Sequence, residues 1–280
     1  MPVAEVSYPS GWRARLELEF ERRGARTILA RRLHEGPLVV QRPFYPEPDG
    51  TCHLYLLHPP GGIAGGDELE LALEVKSGHA LVTTPAATKI YRTRGPESRV
   101  IQALAVRSGA VLEWLPQESI VFGGSRASTL TRVELEPGAR FLGWEIVCLG
   151  RPASGDAFAS GELDQRVELL QNARPLVLDR LRAEGGGAER RGAWGFGGRS
   201  VYGCLWATGT SPALVAELRE SVQPSVSGEL FSVTALGEVT VCRFLGTSGE
   251  RARRLLASAW GILRRNLLGK AACAPRIWAT

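Results

Sequence analysis

Apolar and polar residues alternate along several stretches of the chain, and each alternation predicts a half-buried β-strand. From Trp12 to Phe20 the apolar positions are Trp12, Ala14, Leu16, Leu18 and Phe20, with Arg or Glu between them. Glu68 to Val75 and Arg132 to Glu136 follow the same two-residue period. Gly, Pro and Ser interrupt these runs at short intervals, as turns require. Strand patterns dominate from about Trp12 to Leu181.

Three of the segments begin alike: Ser77-Gly78-His79-Ala80, Ser108-Gly109-Ala110-Val111 and Pro137-Gly138-Ala139-Arg140. Their glycines are spaced by 31 and 29 residues. Each follows an alternating strand and precedes an apolar one, the place for a turn residue with positive φ. Seven residues beyond each glycine the pattern is expected to break, at Pro85, Pro116 and Glu145, before apolar strands that end near Tyr91, Phe122 and Leu149. A unit of about 30 residues built from short strands describes a β-solenoid. Repeated hairpins in a sandwich would leave a similar trace.

After Leu181 the texture changes. Residues 183–200 are rich in Gly and Arg and predict a mobile loop. Two helices should follow. Ser211 as N-cap and Pro212 in the first turn open one that runs to about Glu220. Thr247 with Glu250 reads as the capping box of a longer one that ends near Gly269. Its apolar face comprises Leu255, Leu256, Ala259, Trp260, Ile262, Leu263 and Leu267, with Arg251, Arg253, Arg254, Arg264 and Arg265 on the polar side. The strand Glu238 to Leu245 precedes it. No clean boundary divides the chain, so residues 1–280 are expected to form a single domain.

Composition excludes more than it assigns. Of the 280 residues, 44% are hydrophobic and 22% charged, enough to build a core and too apolar for disorder. The net charge of +5 is small, spread out and almost wholly arginine, which does not mark a nucleic-acid binder. The cluster Arg190, Arg191, Trp194, Phe196 and Arg199 mimics one only locally. No apolar run reaches a membrane span, and Met1 to Arg15 lacks a secretory pattern. Five dispersed cysteines without a CxxC pair point to reduced thiols and a cytoplasmic setting.

Candidate chemistry is sparse. His58-Pro59-Pro60-Gly61-Gly62-Ile63-Ala64-Gly65-Gly66-Asp67 is neither a phosphate loop nor a dinucleotide fingerprint. It reads as a tight corner that presents Asp67 before a strand. Cys52, His53 and His58 could hold a transition metal transiently, although neighbours on a strand face opposite ways. No GxSxG or HExxH occurs, so no catalytic residue is assigned. Carboxylates such as Glu113, Glu118, Asp156, Glu162 and Asp179 are scattered and read as mostly solvated. Glu145 stands apart, inside the otherwise apolar Phe141 to Leu149. It must meet a cation or face a wet passage. Lys89, set beside Ile90 and Tyr91, is the expected partner across repeats.

The ordered set of segments Gly36 to Glu47, Cys52 to Asp67, Thr84 to Arg92, Leu112 to Glu118, Cys148 to Pro152 and Pro275 to Thr280 resembles the UreD (also UreH) family of urease accessory proteins. Ala64, Ala86 and Ile90 depart from the family's usual Val, Gly and Phe. The resemblance implies a mainly β, β-helical fold with two helices toward the C-terminus. It implies a non-enzymatic chaperone or scaffold for nickel insertion into apo-urease. Its partners would be urease and the F and G accessory proteins, with no nucleic acid or membrane and no cofactor beyond transient nickel. By position, Asp67, Glu68, Thr88, Lys89, Glu145 and Asp179 would line or gate an internal nickel route. Arg276, Ile277 and Trp278 would dock a partner. A solenoid enzyme acting on polysaccharide is the competing reading, and it requires an acidic pair that the repeats do not supply.

Overall fold

A computed structural model describes residues 11–279. In chain order its strands are β1 (Arg13–Arg23), β2 (Arg26–Glu35), β3 (Val39–Val40), β4 (Cys52–Leu57), β5 (Gly62–Ile63) and β6 (Glu68–Val75). Then come β7 (His79–Thr83), β8 (Thr88–Ile90), β9 (Ser98–Val106), β10 (Val111–Trp114), β11 (Ser119–Val121) and β12 (Arg126–Leu135). The last are β13 (Arg140–Leu149), β14 (Glu162–Gln171), β15 (Arg174–Glu184), β16 (Val201–Thr208), β17 (Leu230–Leu236) and β18 (Val239–Gly246). The α-helices among the described residues are α1 (Ala188–Arg191), α2 (Pro212–Ser221) and α3 (Gly249–Leu268). The fold is mainly β.

The strands form two sheets. One has the order β15-β14-β12-β9-β6-β1-β2, the other β17-β18-β16-β13-β10-β7-β4-β3, with β5, β8 and β11 attached alongside β13. Within the first, β1, β6, β9, β12 and β14 pair in parallel, Glu68 opposite Arg99 and Arg99 opposite Ser128. In the second, β4, β7, β10 and β13 are parallel, His79 opposite Val111 and Val111 opposite Arg140. The chain passes from one sheet to the other at Gly78, Gly109 and Gly138, whose φ values are +84°, +70° and +80°. The glycine repeat is thus the pairing register of the parallel strands.

The period of two sets the core. Leu16, Leu18, Phe20, Leu69, Leu71, Leu73 and Val75 face inward from the first sheet against Leu54, Val82, Leu112, Trp114 and Phe141 of the second. Each such side chain contributes roughly 1.5–3 kcal/mol on burial. Strand β13 is buried on both faces, which explains its nearly unbroken apolar run. Leu142, Trp144 and Ile146 turn outward, where Leu256, Trp260 and Leu263 of α3 cover them, and Leu214 and Leu218 of α2 extend the same apolar cluster beside α3 and β17.

Several expectations need correction. The third repeat has no break at Glu145, because β13 continues and pairs with both β10 and β11. Residues 183–200 are not all loop: β15 runs to Glu184 and α1 adds one helical turn. The cap of α3 is Ser248, which accepts from the Arg251 amide, and not Thr247. Ser211 and Gly269 cap α2 and α3 as expected.

Candidate functional site

Between the two sheets lies a cavity of about 230 Å³ whose lining includes Thr88, Lys89, Gln102, Thr129, Thr131, Glu145 and Gln165. Strand alternation points Gln102, Thr129, Thr131, Glu145 and Gln165 inward at positions where apolar side chains otherwise stand, while Thr88 and Lys89 reach the lining from successive positions of β8. Gln102 of β9 lies opposite Thr131 of β12, and Thr129 lies opposite Gln165 of β14. The polar positions therefore form a stripe across neighbouring strands. Thr129 Oγ1 is buried and has no hydrogen-bond partner among the described residues. Its position suits a hydrated space, since buried hydroxyls otherwise find partners.

Glu145 is the one carboxylate among the described residues of this lining, and it is 8% exposed. The Trp114 indole N–H donates to its Oε1 at 3.3 Å, and the Thr131 hydroxyl is 3.1 Å away. That hydroxyl also lies 2.7 Å from Gln102 Oε1. With one proton it cannot donate to both oxygens. A protonated Glu145 resolves the shortage by donating to Thr131, which then donates to Gln102. Consistently, burial pushes the carboxyl up to about 7, against the two hydrogen bonds that hold it down.

The expected Lys89–Glu145 ion pair is not formed. Lys89 lines the same cavity, but no cation among the described residues lies within 4.0 Å of Glu145. Strand β8 sits beside β5 and β11, so Lys89 stands opposite Gly62 and Ile120, and Trp114 and Thr131 take the carboxyl instead. The structure divides the remaining candidates. Asp67 caps its corner, accepting from the amides of Trp12 at 2.8 Å and Ala64 at 2.7 Å. Glu68 pairs with Arg13 on the surface. Asp179 binds Arg243 at 3.2 Å, with the Cys204 thiol 3.8 Å away. None of the three lines the cavity.

Nor do Cys52, His53 and His58 converge. Cys52 is buried, its thiol pushed up to about 12 by desolvation. His58 lines the cavity, and burial lowers its basicity despite nearby Asp67. His53 faces the other way and donates Nε2 to Glu47 at 2.8 Å.

Glu47 belongs to a buried ionic network that the sequence pattern did not reveal. Arg264, fully buried rather than on the polar side of α3, bonds Glu47 at 2.6 Å and Glu113 at 3.1 Å. Glu113 is likewise fully buried, not solvated, and also meets His79 at 2.7 Å and the Trp260 indole. Lys270 reaches Glu47 at 2.9 Å, Asp49 at 2.7 Å and His79 Nδ1 at 3.2 Å. Glu113 does carry a sequence signal, a charge between Leu112 and Trp114, the same as that of Glu145. Although desolvation by burial works the other way, these partners hold the Glu47 and Glu113 carboxylates below their usual range.

At the C-terminus, Trp278 turns inward. Its ring centroid lies 5.4 Å from that of Trp144 and 5.8 Å from that of Trp260, and it donates to Thr83 Oγ1 at 3.0 Å. Ile277 is half-buried, and of the expected docking residues Arg276 is the exposed one.

Comparison with known proteins places these features in a family. The family model described as UreD urease accessory protein matches residues 13–279. The urease accessory protein UreD of Alkalilimnicola ehrlichii is 45% identical over 271 residues, covering 96% of this chain and 92% of its own. That of Pseudomonas putida strain W619 is 43% identical over 279 residues, covering 99% and 98%. Urease accessory protein UreD 2 of Brucella anthropi is 43% identical over 273 residues, covering 97% and 99%.

Proposed function

Because the chain belongs to the UreD urease accessory protein family, we propose that it is a non-catalytic urease maturation chaperone that conducts Ni²⁺ toward apo-urease through its interior. The stacked parallel strands are read as successive turns of a β-helix, which their offset of about 30 residues supports. The inter-sheet cavity is read as a segment of the route. Glu145 carries this reading: it is a carboxyl inside an apolar strand, with no cationic partner among the described residues, facing a polar-lined space. An ionised Glu145 supplies one hard oxygen ligand and attracts the ion. Thr88, Thr129, Thr131, Gln102 and Gln165 are neutral donors too weak to retain it.

Lys89 lies in the same lining, and its positive charge opposes cation entry from its side. It is read as a gate that must swing away or be neutralised as nickel passes. Asp67, Glu68 and Asp179 are assigned to the surroundings of the route. The chain would work in the cytoplasm, bridging urease to the F and G accessory proteins. Arg276 and the outward arginines of α3 are the contacts offered to those acidic or polar partners. No helix of the described residues is long and apolar enough to cross a membrane.

The test is urease co-expressed with its full accessory set and this chain as wild type, Glu145→Leu, or deleted. Glu145→Leu should co-purify with the same partners yet yield urease with less nickel and less activity. Full activation by the leucine variant removes the conduit role of Glu145, and full activation without the chain removes the maturation role.

A further inference from the structure

We infer that the Asp179–Arg243 ion pair plugs a second mouth of the nickel route, which continues from Glu145 past the Cys204 thiol to the surface between β15 and β18. This rests on the conduit reading proposed above and supplies the far end that a conduit requires.

The second sheet places the steps side by side. Glu145 of β13 stands opposite Cys204 of β16, and Cys204 stands opposite Arg243 of β18. Residues paired in this way share one face of the sheet, with Cβ atoms about 5 Å apart. The polar row that begins at Glu145 therefore runs on across two more strands. From the first sheet Asp179 of β15 reaches the same row, its Oδ2 3.2 Å from Arg243 and 3.8 Å from Cys204 Sγ. The row divides the apolar interior in two. Val177, Trp206 and Val241 pack on one side of it, and Leu181 and Leu245 on the other. Such an interruption costs stability, because each polar group displaces apolar contacts and must find partners.

Exposure falls along the row from the surface inward. The Arg243 side chain is 39% exposed and that of Asp179 18%, whereas Cys204 behind them is fully buried. The pair thus stands between solvent and the row, and Glu145 at the other end faces the cavity. An arginine keeps its charge at any physiological pH, so the closed plug repels a cation as well as filling the way. When the guanidinium turns outward, Asp179 is left as a second carboxylate on the path. Cys204 serves as a neutral wall and not as a ligand, because burial, with Asp179 beside it, raises its thiol well above the usual range. Each end of the route then carries one basic side chain, Lys89 in the cavity and Arg243 at the far mouth.

The test labels the full-length chain, in its purified complex with the accessory proteins, with methyl methanethiosulfonate and maps each cysteine by mass spectrometry. In the wild type Cys204 should react slowly. In Arg243→Ala it should react at least about tenfold faster, and likewise in Asp179→Asn/Arg243→Ala, which leaves no carboxylate unpaired. Cys242, buried on the opposite face of β18, should stay protected and reports an intact fold. Labelling of Cys204 in the double variant should then lower the nickel that the complex loads into urease, and adding Cys204→Ser should abolish the effect of the reagent. Unchanged labelling of Cys204, or Cys204 and Cys242 gaining reactivity together, overturns the plug. Undiminished nickel loading after Cys204 is labelled puts this mouth off the route and overturns the proposal, whereas normal loading by Glu145→Leu removes the conduit itself.

Discussion

Replacing Glu145 with glutamine should convert a pH-dependent stability into a flatter one. The carboxyl titrates near 4.5 in the unfolded chain and near about 7 in the fold, because the cavity wall desolvates it. Each pH unit between those values is worth about 1.4 kcal/mol, so full ionisation of the folded protein costs about 3 kcal/mol. The sign follows from where the proton is held more tightly. Below pH 4.5 both states keep it and there is no penalty. From pH 4.5 to about 7 the unfolded state ionises first, and stability falls as pH rises. Above about 7 the loss is complete. Glutamine keeps an oxygen for Trp114 and Thr131 and carries no charge, so it escapes this loss. Urea unfolding of both proteins from pH 5 to pH 8 reads the difference, and all other titrating groups cancel. The glutamine variant should gain up to about 3 kcal/mol relative to wild type across that range. Parallel curves would mean that Glu145 is hydrated and ionised at low pH, and the picture of a shielded, proton-holding carboxyl would be wrong.

Arg264→Leu should destabilise the protein by about 3–5 kcal/mol in urea, because Glu113 and Glu47 would stay buried with their shared guanidinium gone. Trp278→Ala removes a ring packed on Trp144 and Trp260 and leaves Thr83 without its indole donor, and should cost about 2–3 kcal/mol by thermal unfolding. Gly109→Ala should cost only about 1–2 kcal/mol for its positive φ, since an added Cβ meets nothing within 4 Å. Gly78→Ala should cost more, because its Cβ would lie 2.2 Å from Thr27 Oγ1, an atom that also accepts from the His79 amide.

The strands were legible because a half-buried sheet writes its geometry at every second residue. Glu68–Val75 is recovered to the residue, and the turn glycines fall where the repeat puts them. Glu145 was legible for a related reason, as a charge where alternation demands an apolar side chain. Its partners were not. Which residue of one strand meets which of the next depends on register, and Trp114 and Thr131 won over Lys89. Arg264 was hidden by its neighbours. Among five arginines on one helix nothing in composition marks the one that turns inward, and only the tertiary partner, 151 residues away at Glu113, distinguishes it. The polar lining of Gln102, Thr129, Thr131 and Gln165 was readable in principle, since each breaks the apolar period of its strand. Single polar substitutions in strands are common, however, and only their alignment on adjacent strands gives them meaning.

The Arg264 bridge also sets an order of assembly. Its carboxylates are 217 and 151 positions upstream, so the parallel strands can associate well before their counter-ion arrives. Until α3 docks, Glu47 and Glu113 must stay hydrated, and that end of the stack cannot dry out. Docking then brings charge neutralisation and the sealing of the apolar outer face of β13 in a single event. A polypeptide stalled before that event would show both water-filled carboxylates and an uncovered greasy surface, the combination by which cellular quality control separates unfinished chains from finished ones.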